Sequence, residues 1–386
     1  MSARQTAPDV DAELIKLIRT CYRFTPESNS QEEEQVSPEE DLKTRLEKLN
    51  RVESTILPTI RDLVTELLEA LDLPAKDSIS PQPKLDEASE IVPRLTSLVE
   101  DLACSVLPPD YSNPEICRLI DQNYGQLNQF RSCYFKKKIT EFIKEDLRRL
   151  FSSLSSFVSN GEYYPPDYEP SDRDKPHQEG RAGRIQIIIP RIINIIRGSN
   201  FDIIQSIWNE CEDLLASDIN DIHWCINLTN TRAPARIVPD FSPLIPAVLE
   251  ILDQTLVLLK MCRLFSRKIG STRLFKFAEG ISPADLASFG DVSEKFQIHV
   301  QSLIVYMETV AEFQEKPPGW NFKHEAEVIS HDVHFCLDFI RSHMVPSYPP
   351  QTVDEVMDRL FGTFTQQFFP TLDRYIARLT QFQADH

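Results

Sequence analysis

Residues 37–71 read SPEEDLKTRLEKLNRVESTILPTIRDLVTELLEAL, which combines a helix start with a sustained helical periodicity. Ser37 can accept a hydrogen bond from a backbone N–H of the first turn, and Glu40 can reach back to complete a capping box. Pro38 suits the first helical position because it has no N–H to leave unpaired. Apolar residues then recur at steps of three and four. The stretch predicts a long amphipathic helix that bends at Pro58, where one intrahelical hydrogen bond is missing.

The same start signal precedes three further apolar runs, at Asn113-Pro114, Ser242-Pro243 and Ser282-Pro283. The chain holds 27 Pro and only 10 Gly, so it favours helices that prolines punctuate over glycine-rich phosphate loops and hairpins. We therefore predict an all-α protein. Its long, proline-punctuated helices are expected to form two antiparallel helical bundles with coiled-coil-like packing.

The length of 386 residues is enough for two cores, because single cores stop growing near roughly 250 residues. Residues 1–36 are interpreted as an N-terminal helix and an acidic linker. Residues 37–229 predict a first bundle, with a disordered loop at 160–184 where prolines and charges replace apolar residues. Residues 241–386 predict a four-helix bundle. The boundary is placed at 231–240, which holds two prolines and little apolar pattern.

The net charge of −18 argues against nucleic acid as a partner, because the phosphate backbone repels an acidic chain. The eight cysteines lie far apart and mostly at apolar positions of helical patterns, which predicts reduced, buried thiols. No secretory signal begins the sequence, and no apolar stretch is long enough to predict a transmembrane segment. We expect a cytoplasmic protein, with the nucleus as the other compartment that these features allow.

Three stretches carry a family resemblance: Ser199 to Trp208 (SNFDIIQSIW), Leu258 to Phe265 (LLKMCRLF) and Phe361 to Leu379. They resemble a large family of uncharacterised all-helical proteins from rust-type plant-pathogenic fungi, over most of the chain from about Asp121 onward. The architecture is also similar to that of cyclin-D-binding and vinculin-like helical bundle proteins. The resemblance implies a helical fold and no assigned activity, and it transfers no functional residue.

A polar face on a predicted helix near the carboxyl end holds the first candidate site. Its members recur at steps of three and four and are His324, Glu327, His331, His334 and Asp338. Imidazole and carboxylate groups one turn apart could bind a divalent metal weakly. The other interpretation is an ordinary solvated face with Glu–His and His–Asp pairs, because structural zinc sites usually draw ligands from more than one element.

A local reversal of charge marks the second candidate site, which we call the basic segment. No acidic residue occurs from Gln254 to Ala278, while six cations do: Lys260, Arg263, Arg267, Lys268, Arg273 and Lys276. Such a stripe could hold an acidic partner, a phosphate or a lipid headgroup. Alternatively, it neutralises neighbouring acidic helices of the same chain.

No pattern of a nucleophile with its base, a phosphate loop or a dinucleotide fingerprint occurs, so we predict a protein that is not an enzyme and needs no cofactor. The favoured function is a non-catalytic protein-interaction module, in which a partner helix lies between bundle helices. The alternatives are a peripheral protein that binds phosphate or lipid headgroups through residues 260–276, and weak metal binding at the His324 to Asp338 face.

Overall fold

The computed structural model describes residues 7–24, 37–72, 83–106, 108–109, 111–160, 180–232, 245–278, 280–313 and 322–385. These residues are almost all helical, which confirms the all-α prediction. They divide into two compact units, Met1–Gly198 and Ser199–His386. The predicted acidic linker, most of the predicted loop at 160–184 and most of the predicted boundary at 231–240 lie outside the described residues.

The first unit contains the helices α1 (Ala7–Arg23), α2 (Pro38–Arg51), α3 (Leu57–Ala70), α4 (Leu85–Ser105), α5 (Pro114–Asn123), α6 (Gln129–Glu141), α7 (Arg148–Asn160) and α8 (Arg181–Arg197). The second unit contains α9 (Asn200–Arg232), α10 (Ile245–Ser271), β1 (Phe275–Phe277), α11 (Pro283–Phe313), α12 (Phe322–His343), β2 (Met344–Pro346), α13 (Val353–Met357) and α14 (Thr363–Asp385). Shorter segments are a 3-10 turn at Gly125–Leu127 and π-helical turns at Val52–Ile56, Phe142–Leu147 and Asp358–Gly362.

The predicted helix starts occur wherever the structure describes them. The backbone N–H of Glu40 donates to the hydroxyl of Ser37 at 3.3 Å. Helix α2 begins at Pro38, directly after this capping residue. Asn113 and Ser282 cap α5 and α11 in the same manner, while Ser242 lies outside the described residues. The π-helical turn Val52–Ile56 ends two residues before Pro58, where the α-helical bonding pattern would be interrupted.

The N-terminal helix belongs to the first unit. It packs against α4 and α7, and it buries its apolar stripe of Val10, Leu14, Leu17 and Cys21 completely. The guanidinium of Arg148 also lies 4.8 Å from the ring centroid of Tyr22. A stripe this apolar is stabilised by burial against neighbouring helices rather than by solvent.

The predicted loop at 160–184 is wrong at its carboxyl end, where residues 181–184 are helical. Helix α8 begins at Arg181, four residues before the buried Ile185, so the helix of the isoleucine-rich run extends one turn further back. Arg184 lies in this turn and pairs with Asp146 at 2.7 Å. The side chain of Asp146 is mostly buried, and this burial raises its pKa although the guanidinium opposes the effect.

The predicted boundary between the bundles is wrong, because α9 belongs to the second unit and not to the first. Helix α9 packs against α10 and α11, α10 packs against α14, and α12 completes the ring between α14 and α11. The second unit is therefore a ring of five long helices that begins at Ser199, rather than a four-helix bundle over 241–386. Proline content at 231–240 suggested a boundary, but the apolar face of α9 needs the later helices as its cover.

Trp208 shows why α9 is required. Its indole is fully buried, and its ring centroid lies 5.5 Å from that of Phe265 on α10 and 5.9 and 6.1 Å from those of Phe289 and Phe296 on α11. Aromatic pairs at these separations add to the stabilisation from area burial. Without α9 these rings would face water, so the helices from 245 onward do not form a complete core by themselves.

Helices α9 and α10 approach closely at Gly270. A Cβ placed on Gly270 would lie 2.2 Å from Asn209 Oδ1 and 3.1 Å from the Asn209 backbone nitrogen. The Asn209 amide instead donates to the Gly270 carbonyl at 3.2 Å, and the Gln205 amide donates to the Thr272 carbonyl at 2.7 Å. The end of α10 is therefore bonded to α9 through carbonyls that a larger side chain would displace.

A small ribbon departs from the purely helical prediction. Strands β1 and β2 pair in an antiparallel manner with Lys276 opposite Val345, and Phe275 is fully buried under Phe201 of α9. The ribbon joins the end of α10 to the end of α12.

None of the helices that the structure describes combines the length and the apolar character that a bilayer crossing needs.

We predict that Gly270→Ala lowers the free energy of unfolding of the second unit by about 1–3 kcal/mol, because the added methyl group must push α9 and α10 apart. All three tryptophans lie at or after Trp208, so urea unfolding followed by tryptophan fluorescence reports on this unit. Gly362→Ala is the matched control, since its nearest neighbour would be 3.4 Å away. Equal stability of the two variants would contradict the close helix contact.

Candidate functional site

The basic segment lies on the outer side of α10 and on β1. Helix α10 buries one broad face against α9 and α14, including Leu258, Cys262 and Phe265 as the sequence predicts. Five cations of the segment are exposed and Lys268 is half-buried; the exposed ones are Lys260, Arg263, Arg267, Arg273 and Lys276. The segment is therefore accessible along its whole length within the second unit.

Most of these cations form no ion pair within the residues that the structure describes. Arg263 pairs with Glu212 of α9, with 3.4 Å between Nη2 and Oε1. For Lys260, Arg267, Lys268, Arg273 and Lys276, no ion pair with any described residue occurs. Within the described part of the chain, internal pairing occurs at Arg263. Longer-range neutralisation of the other cations by neighbouring acidic helices stays a prediction.

Two apolar side chains interrupt the cations on α10. Val257 is 49% exposed and Leu264 is 47% exposed, and they alternate with Lys260 and Arg267 at steps of three and four. These four residues form one line along the helix, which we call the α10 row. Val257 and Leu264 were not among the candidate residues from the sequence. The signal was present, because Val257 and Leu264 fall outside the stripe that the core uses.

The carboxyl end of the basic segment reaches the β-ribbon. Lys276 points to the exposed face of β1, since the flanking Phe275 and Phe277 turn toward the core. Its cross-strand partner Val345 is half exposed, and Tyr348 just beyond β2 is 56% exposed. Cation and apolar side chains are therefore adjacent here as well.

The predicted metal face does not assemble a site. Among the residues that the structure describes, no three His, Cys, Asp or Glu side chains come together as metal ligands. Glu327 pairs with Lys323, and the imidazole of His334 stacks on Phe369 at 4.0 Å between centroids. His331 is 81% exposed, and His324 and Asp338 are exposed too. A metal site on one helix face needs further ligands from a second element, and no described residue supplies them.

Asp332 of α12 is a buried acidic residue that was not among the candidates from the sequence. No hydrogen bond from the described residues reaches its Oδ2 atom. Burial raises its pKa, and the charges of His299, His331 and Lys295 oppose the rise. Its spacing of three from Ile329 and four from Cys336 places it on the apolar face, which the sequence could have indicated.

His299 of α11 lies beside this carboxylate and holds the two helices together. Its Nδ1 atom is 2.7 Å from Glu325 Oε2 of α12, and both side chains are about three quarters buried. The contact between His299 and Glu325 could not be predicted from the sequence, because the two residues are 26 positions apart. The contact is a structural link between α11 and α12.

The buried thiols are not poised for nucleophilic chemistry. Burial raises the pKa of Cys21 and Cys211 to about 12, and it also raises the pKa of Cys262 and Cys336 well above the ordinary value of a thiol. A thiol is nucleophilic as the thiolate, and these thiols stay protonated at neutral pH. All eight cysteines are free, but the prediction that they are buried holds for five of them only, since Cys104 and Cys133 are exposed and Cys117 is half-buried.

A cleft in the first unit contains Arg45 and Arg131 between α2, α6 and the end of α8. Arg45 donates to the Pro108 carbonyl at 3.2 Å and pairs with Asp41 at 2.8 Å, and Arg131 donates to the Ile196 carbonyl at 2.8 Å. Both guanidinium groups thus satisfy backbone carbonyls of the unit itself. The cleft has a structural explanation without a ligand.

Comparison with known proteins divides the chain at the same place as its structure does. Residues 45–199 match a family model described as a domain of unknown function (DUF8723), and residues 199–376 match a second one, also described as a domain of unknown function (DUF8721). No curated protein and no solved structure matches the chain. Neither description assigns an activity, and neither bears on the fungal resemblance, which stays a prediction.

We predict that Asp332→Asn becomes more stable relative to the wild type as the pH rises from about 4 to 7. The raised pKa favours the protonated acid in the folded state, so the contribution of Asp332 to stability is present at low pH and is lost as the pH rises through that pKa. Urea unfolding at several pH values measures the difference. Asp338→Asn removes the same charge from the exposed face of α12 as a control. A difference independent of pH would contradict the assignment.

Proposed function

We propose that the second unit is a non-catalytic protein-interaction module that binds an acidic segment of a partner protein on the basic segment. The observation that carries the proposal is the α10 row, where cations without an acidic partner in the described chain alternate with half-exposed apolar side chains. Charged side chains steer an acidic partner, and the apolar side chains supply area to bury on contact.

The contrast with the rest of the chain supports this assignment. The chain carries a net charge of −18, so a cationic row is locally opposite in sign to its surroundings. Cations in the last turn of a helix also interact favourably with its dipole, which explains Lys268. The dipole does not account for Lys260, three turns from the helix end, or for Lys276 beyond it, and both remain available to an external anion.

A protein partner fits the spacing of the cations better than a single phosphate does. A phosphate is held by donors that converge on one point. Lys260 and Arg267 are seven residues apart, which is roughly 10 Å along a helix, with Leu264 between them. A lipid surface could use the same cations, and it is the competing outcome of the test below.

We also propose that the protein has no catalytic activity. This proposal is supported by the protonated state of the buried thiols and by the structural roles of the arginines in the cleft of the first unit. Eight free cysteines are typical of proteins in reducing compartments, which supports a cytoplasmic or nuclear location.

We predict that the full chain binds acidic peptides through the α10 row. The probes are two fluorescent three-heptad peptides of one composition, rich in Glu, Leu, Ala and Gln; one repeats Leu every seven residues and the other is scrambled. We expect at least one peptide to bind, more weakly as salt rises from about 0.1 M to about 0.5 M, because salt screens exposed charges. Lys260→Glu with Arg267→Glu should weaken binding by about tenfold or more.

Arg359→Glu is the matched control, since Arg359 is an exposed cation elsewhere in the second unit and its reversal should leave binding unchanged. Peptides with Lys in place of Glu should not bind. Binding of vesicles of phosphatidylcholine and phosphatidylserine, with no binding of either acidic peptide, would overturn the proposal in favour of a lipid surface. Binding of neither probe would overturn it as well.

A further inference from the structure

We infer that the partner segment is an acidic amphipathic α-helix that packs lengthwise along the α10 row as an additional rod of the second unit. The inference rests on the proposed function and adds the shape and sequence pattern of the partner. It comes from the order of residue types along the row, which is apolar, basic, apolar, basic at Val257, Lys260, Leu264 and Arg267.

The row is straight and regular, and it lies on the solvent side of α10. Its members occur at steps of three, four and three, which places them on one line over roughly 15 Å of helix. On one flank α10 is held by α9 through the pair Arg263–Glu212. On the other flank it is held by α14, where Arg378 pairs with Glu250. The row is therefore fixed in position before any partner arrives.

The repeat along the row selects a helical partner. Val257 and Leu264 are seven residues apart, and so are Lys260 and Arg267, which gives a repeat of roughly 10.5 Å for both residue types. A second helix repeats its own side chains at the same distance when its pattern has a period of seven. An extended strand repeats one face every two residues, roughly 6.6 Å, and falls out of step after one contact.

Chemistry then fixes the residue types of the partner. A large apolar residue must recur every seven positions to cover Val257 and Leu264, whose side chains are about half exposed. Asp or Glu must stand three or four positions further on to face Lys260 and Arg267. Basic residues at those positions would be repelled, which gives the row its selectivity.

The test compares the periodic acidic peptide with the scrambled one, on the full chain, by fluorescence anisotropy. We expect the periodic peptide to bind at least about tenfold more tightly, because only its leucines reach both apolar members of the row. Leu264→Ser should remove most of this advantage and leave the scrambled peptide unchanged. Ile298→Ser is the matched control, since Ile298 is 58% exposed on α11 and should not affect either peptide.

The outcomes separate the two proposals. Equal affinity of the two peptides, both weakened by Lys260→Glu with Arg267→Glu, would overturn the helical partner and leave an acidic segment as the partner. An advantage of the periodic peptide that survives Leu264→Ser would also overturn the inference. Binding of neither peptide would overturn the proposed function itself. Both Val257 and Leu264 are solvent-facing, so their substitution leaves the core of the second unit intact.

Discussion

The second unit depends on the contact between α9 and α10. At Gly270 the two helices approach within a distance that excludes a side chain, and this approach places Trp208 against Phe265, Phe289 and Phe296. Close packing of this kind fixes the rotation of each helix, because a turned helix would insert or withdraw whole side chains. The orientation of α10 therefore follows from its buried face. The α10 row is exposed because it lies on the side of the helix that faces away from α9 and α14.

The all-α class could be predicted from sequence because capping residues, prolines and apolar periodicity all act locally. The domain boundary could not. Prolines after Thr231 mark the end of a helix, but whether that helix joins the preceding or the following helices depends on contacts between distant residues such as Trp208 and Phe296. For the same reason, weak metal binding on one face of α12 remained an alternative to an ordinary solvated face. Five polar residues at helical spacing share a face, but ligands must converge, and the structure shows that they do not.

The sequence predicted the charge of the candidate site but not which of its side chains are exposed. Charge is a property of residue type, so the basic segment could be found, whereas exposure is a property of the fold. Leu264 is of the same residue type as the core leucines; its spacing outside the buried stripe indicates exposure, and the rotation of α10 in the fold establishes it. Asp332 is the opposite case, an acidic residue drawn into the contact between α11 and α12. In both residues the helix rotation, set by large aromatic side chains elsewhere, overrides the ordinary preference of the residue type.

The central claim is that the exposed row of α10 is the binding surface of the second unit. Methyl NMR of the full chain, labelled at Ile, Leu and Val and titrated with the periodic acidic peptide, tests it most directly. The account predicts that the methyl signals of Val257 and Leu264 shift with the peptide, while those of Ile298 and Val305, which are equally exposed on α11, stay in place. Shifts confined to Ile298 and Val305, or no shifts at saturating peptide, would contradict it.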